Sequence, residues 1–141
     1  MGKTVLLLQC TGKKQHVSHP IPARELYAGP WFKKPFEYAK AKLDYDVAYI
    51  LSAKHNVVEL DDCLDDYDLT LGKMSPAEQR AWAAETLRQL KAKGCDLEND
   101  EFIFLTGERY YKNLIPEIAH HCEPLKGFNN GTLKSWYKKV M

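Results

Sequence analysis

Three short apolar runs punctuate the chain: TVLLLQ at 4–9, DVAYILS at 46–52 and FIFLT at 102–106. Each is continuous rather than alternating, which is the pattern of a strand buried on both faces. Between them the apolar positions fall at helical spacing. Phe32, Phe36, Ala39 and Leu43 share one face over 32–43, and Ala83, Leu87 and Leu90 share another. The second of these helices has an explicit start in Ser75-Pro76-Ala77-Glu78: serine at the N-cap, proline at the first helical position and glutamate at the third. Gly94 is its natural stop. Shorter elements follow from the same reading. Residues 23–27 form one helical turn halted by Gly29-Pro30. Residues 110–120 form a helix that Pro116 bends or splits. Residues 122–125 form a fourth short strand, and 131–141 a basic helix anchored by Trp136.

Strands separated by helical segments predict an α/β fold. The expectation is a single three-layer domain over residues 1–141, with a mainly parallel sheet of about four strands and helices on both faces. In that architecture ligands bind outside the carboxyl ends of the strands. The three apolar runs end alike, in LLLQCTGKK, YILSAKHN and IFLTGERYY. A small polar residue closes each run (Cys10, Ser52, Thr106). A tiny residue follows (Gly12, Ala53, Gly107), and then a cation (Lys13, Lys54, Arg109). The sheet would bring these endings to one edge.

Composition narrows the classes. Of 141 residues, 45% are hydrophobic and 28% charged, an ordinary globular balance, and the net charge of +1 argues against an extended cationic coat. No run reaches membrane-spanning length, and the apolar stretch after Lys3 is too short for a secretory leader, so a cytoplasmic protein is expected. The four cysteines form no CxxC pair, and neither structural zinc nor disulfides are expected. GKK at 12–14 is not a Walker loop, no GxGxxG is present, and the acidic tract DDCLDDYD at 61–68 lacks EF-hand spacing. No cofactor and no metal are assigned, although one or two of the tract's aspartates leave magnesium open.

The candidate chemistry is that of an anion site. Lys13, Lys14, Lys54 and Arg109, joined by Arg24 from the first helical turn, supply positive charge, and Gly107 allows close backbone approach. Cys10 is a candidate nucleophile, with His16, His19 or His55 as its base. Ser52 is a second candidate catalytic residue, without a nucleophile elbow around it. Asp66 or Asp68 is the candidate carboxylate, with Tyr67 pinning the segment. A carboxylate beside a cationic edge suits cleavage of a glycosidic bond. Aromatic residues lie near these segments: Tyr27, Trp31, Phe32, Tyr67, Tyr110 and Tyr111. Tyr27 and Tyr110 are the best placed for base stacking.

As a set, CTGKK, PARELY at 22–27, ILSAKHN at 50–56, DYDLTL at 66–71, LTGERYY and PLKGF resemble a family of small bacterial and phage proteins described as a domain of unknown function. That family is distantly similar to the YaaA-type peroxide-stress proteins, and the similarity implies DNA binding. The positions matching the motifs are Cys10, Lys13 or Lys14, Arg24, Tyr27, Ser52, Lys54, Tyr67, Asp68, Gly107 and Tyr110. Two positions depart from the pattern. Asn56 stands where a glycine is usual, and asparagine still permits a left-handed turn. Asp66 stands where a proline is usual.

The leading expectation is a DNA- or nucleotide-directed enzyme that cleaves or exchanges a glycosidic bond, as a DNA glycosylase or nucleotide N-glycosidase does. Asp68 would be the carboxylate, the cations would hold phosphates, and Tyr27 or Tyr110 would stack on the base. The alternatives are a DNA-binding module without chemistry, or a phage protein that binds a host protein through the acidic tract. The oligomeric state is not fixed by the sequence.

Overall fold

β1 (Thr4–Gln9) is the centre of the molecule. All four of its inner residues, Val5 to Leu8, are fully buried, as the unbroken apolar run requires. The structure is a computed structural model that describes residues 2–11, 17–65, 67 and 69–141. β3 (Val47–Ser52) and β6 (Glu101–Leu105) flank β1, both parallel to it. β7 (His120–Cys122) extends the sheet parallel to β6, and β4 (Asn56–Glu59) closes the opposite edge antiparallel to β3. The order is β4-β3-β1-β6-β7. A separate two-residue ladder joins β2 (Ile21–Pro22) to β5 (Cys63–Leu64). The fold class is therefore α/β, with five strands in the main sheet rather than about four.

The helices are α1 (Ala23–Leu26), α2 (Pro30–Lys42), α3 (Pro76–Ala92), α4 (Glu108–Tyr111) and α5 (Asn130–Val140). α2 packs on β1 and α5, and α3 on β4. The connections β1 to β3 and β3–β4 to β6 run in opposite directions along the sheet, and the right-handed rule for parallel crossovers assigns α2 and α3 to opposite faces. That accounts for the burial of β1 on both sides. The capping box at Ser75 is formed in full: Glu78 N donates to Ser75 Oγ and Ser75 N to Glu78 Oε1.

Two expectations are corrected. The helix expected over 110–120, bent or split at Pro116, is reduced to two short pieces that part before the proline. α4 ends at Tyr111, and a 3-10 turn at Ile115–Glu117 carries Pro116, which has no N–H to continue a helix. The last strand is His120–Cys122 rather than 122–125. The expectation for Asn56 holds: it sits at φ 64°, where the chain turns from β3 into β4. Its Nδ2 donates to Trp82 O and Thr86 Oγ1, both at 3.0 Å, so the turn is tied to α3.

Candidate functional site

The order β3-β1-β6 makes the three similar endings neighbours. Cys10, Ser52 and Thr106 are each at most 1% exposed, so their small size is what lets the chain leave a packed sheet. Cys10 and Ala53 are in contact, with Ala53 N donating to Cys10 Sγ at 3.4 Å. Lys54 follows at once, so the first two endings do share one edge. Lys54 is exposed and holds its Nζ 5.6 Å from the Tyr67 ring centroid.

The connection leaving β1 runs towards β3, and the connection leaving β6 runs the other way, to β7. Between two such strands the loops diverge and leave a crevice at their carboxyl ends, the usual ligand position of open α/β sheets. A cleft opens there. Its first chamber, about 340 Å³, is lined by Gln9, Cys10 and Thr11 after β1 and by Arg109 and Tyr110 after β6. Gly29, Pro30, Trp31, Thr70, Gly72 and Asn130 complete the walls. A second chamber of about 510 Å³ shares Gln9, Trp31, Arg109 and Tyr110 and adds Gly107, Glu108 and Phe128. Gln9 holds the two strand ends together, its Oε1 accepting from Gly107 N at 2.6 Å.

Arg109 has no ion-pair partner among the described residues and is exposed to the cleft. Gly72 leaves it room, since a Cβ there would lie 3.4 Å from Arg109 Nη1. Trp31 is held by its indole N–H, which donates to Asn130 Oδ1 at 2.7 Å. Tyr110 forms the floor. Its hydroxyl lies 3.1 Å from Cys10 Sγ, and its ring meets Trp82 edge-on at 5.9 Å.

Beside the cleft runs a chain of hydroxyls. Ser52 Oγ accepts from His55 N at 3.0 Å and shares a hydrogen bond of 2.7 Å with the Tyr67 hydroxyl. Tyr67 in turn shares one of 2.6 Å with Tyr27. Burial is the main force on these phenols. It pushes Tyr27 up to about 12. Tyr67 and Tyr110 are also raised, by burial first and then by the neighbouring Cys10. All three are therefore protonated at neutral pH, and they act as hydrogen-bond donors rather than bases. His55 is shifted down by burial and by Lys54, which favours its neutral form.

The placement sorts the candidate residues. Cys10, Gly107, Arg109 and Tyr110 line the cleft. Tyr67, Ser52 and Lys54 sit behind it on the β3 side. The Tyr27 ring is fully buried between Phe32 and Tyr67, so it has no face to offer a base, and its share in the site is its hydroxyl. Ser52 is likewise enclosed and hydrogen-bonded, not presented as a nucleophile. Arg24 is drawn elsewhere: it pairs with Asp61 and lines a separate groove beside Phe36. Lys13, Lys14, His16, Asp66 and Asp68 lie outside the described residues. The structure adds Gln9, Thr11, Gly72, Glu108, Phe128 and Asn130, and it promotes Trp31. They come from five separated segments, and only the β1 ending and the LTGERYY ending gave a sequence signal. Among the described residues no group of three or more His, Cys, Asp or Glu is placed to hold a metal. No helix among them is long and apolar enough to cross a membrane.

The model of DUF6884, a family of unknown function, matches residues 5–139. The chain belongs to that family. The match runs from β1 into α5, so all of the sheet but Thr4, and both chambers of the cleft, lie within the DUF6884 domain. No curated protein and no solved structure matches the chain.

Proposed function

We propose that this chain is a nucleotide- or DNA-directed enzyme that cleaves or exchanges a glycosidic bond in the switch-point cleft. The observation that carries the reading is the pairing of Arg109, a cation without an ion-pair partner among the described residues, with the half-buried indole of Trp31 across one chamber. A guanidinium beside a chamber with an aromatic wall suits a phosphate attached to a base. The protonated Tyr110 hydroxyl at the floor supplies a donor for a leaving base or a sugar oxygen. Asp68, from the sequence, is the carboxylate assigned to the sugar carbon.

The test is base release from single-stranded DNA and from free nucleotides. Wild type is compared with Asp68→Asn and Arg109→Ala. The proposal expects release by wild type, loss of about a hundredfold or more in Asp68→Asn, the scale of a missing acid–base group, and weaker substrate binding in Arg109→Ala. Release that is equal in wild type and Asp68→Asn removes Asp68 from the chemistry. No release from any substrate removes the enzyme.

One observation favours the alternative of a binding module. Both described nucleophile candidates are buried, with Cys10 bonded to Tyr110 and Ser52 to Tyr67. That reading predicts salt-sensitive binding, indifferent to Asp68→Asn, with no base released.

A further inference from the structure

The cleft has two chambers, and a mononucleotide needs one. Each falls in the usual range for small-molecule sites, roughly 300–1,000 Å³. They are not alike. The first adds Cys10, Thr11, Thr70, Gly29, Gly72, Pro30 and Asn130 to the walls that the two share, none of them a carboxylate. The second adds Phe128 and the carboxylate of Glu108. Arg109 and Trp31 stand in both, together with Gln9 and Tyr110. A carboxylate repels phosphate and accepts from the amino groups of bases. The second chamber is therefore a place for a base, not for a second phosphate.

Its aromatic walls are set before any ligand arrives. Trp31 is fixed by Asn130 at the start of α5, and Phe128, just before that helix, packs edge-on against Trp136 at 6.1 Å. The lead-in to α5 thus positions two of the three rings that line this chamber, Tyr110 being the third.

Resting on the nucleotide reading above, we infer that the cleft takes two consecutive nucleotides of a single strand. The phosphate between them lies at Arg109. The second base, one that carries an amino group, enters between Trp31, Phe128 and Glu108. The substrate class is a single-stranded nucleic acid rather than a free mononucleotide.

Calorimetric titration with deoxycytidine 5′-monophosphate and with the 5′-phosphorylated deoxycytidine dinucleotide tests this. The dinucleotide is expected to bind about tenfold tighter or more, the scale of one added base–aromatic stack. Phe128→Leu keeps an apolar side chain against Trp136 but removes the stacking face, and the ratio is expected to fall towards one. Glu108→Gln, on the exposed rim, serves as the second variant and is expected to reduce the ratio without disturbing the fold. Equal binding of the two ligands by wild type overturns the two-nucleotide cleft and leaves the nucleotide reading standing. A tighter dinucleotide with an unchanged ratio in both variants overturns the assignment of the second chamber. Binding of neither ligand overturns the nucleotide reading and this inference together.

Discussion

Tyr27 joins the wall of the candidate site only through its hydroxyl. Its ring is fully enclosed, and its hydroxyl reaches Tyr67 and, through Tyr67, Ser52 at the end of β3. Burial raises its ionisation to about 12, which has a consequence for stability with a definite sign. The folded state keeps a proton that an unfolded tyrosine releases near pH 10. The stabilising contribution is complete below that value and disappears as pH rises through the folded value. The urea midpoint is therefore expected to fall between about pH 10 and pH 12, more steeply in wild type than in Tyr27→Phe. A midpoint that rises over this window, or the same slope in both proteins, contradicts the account. The same chemistry explains why the phenols are donors at neutral pH.

At the scale of elements, the sequence was legible wherever the signal was local. Continuous apolar runs located β1, β3 and β6, and Ser75-Pro76 located the start of α3. β4 was not legible, because NVVE is short and its pairing depends on a turn set by one side chain. Asn56 makes that turn at φ 64° and clamps it to α3 with two hydrogen bonds. The clamp matters to the site, since α3 carries Trp82, whose indole N–H donates to Ser52 O at 2.8 Å. Asn56→Gly and Asn56→Ala both remove the clamp, and only alanine also resists the left-handed backbone, by roughly 1–2 kcal/mol. Chemical denaturation is expected to rank wild type above Asn56→Gly, and Asn56→Gly above Asn56→Ala. An alanine variant as stable as the glycine variant shows that the turn has moved. The second chamber was illegible for a different reason. Trp31, Glu108 and Phe128 meet only because α2, α4 and α5 dock around one strand end, and no periodicity encodes that meeting.

Across the whole molecule, β1 and β6 divide the labour between their two ends. Their carboxyl ends open into the cleft, and their amino ends are stapled shut. Asp100, 3% exposed, accepts from Lys3 N at 2.9 Å, Lys3 Nζ at 3.0 Å and Asp96 N at 2.7 Å. Gly2 passes so close that a Cβ would fall 1.8 Å from Asn99 O. Burial pushes the Asp100 carboxyl up, but the Asp96 N–H and the two Lys3 groups together outweigh it and hold its ionisation below the ordinary value. That contribution is present above about pH 3.9, the unfolded value, and is lost as pH falls through the folded one. Asp100→Asn turns its NH2 either towards Lys3 Nζ and Asp96 N or, in the flipped orientation, towards Lys3 N, so a donor loses its acceptor either way. The expected cost is about 1–3 kcal/mol at neutral pH, shrinking in acid as wild type loses the same interaction. The six residues of β1 span roughly 20 Å at about 3.3 Å each, so this loss should not reach the cleft. Gly72→Leu is the complement, because its side chain must displace Arg109. It is expected to weaken dinucleotide binding at least tenfold, about the 1.4 kcal/mol that a lost charged contact represents, with little change in the urea midpoint. Measuring both properties on both variants tests the division: a change confined to stability in one and to binding in the other supports it, whereas Asp100→Asn weakening binding as much as Gly72→Leu means that the two ends of the sheet are coupled.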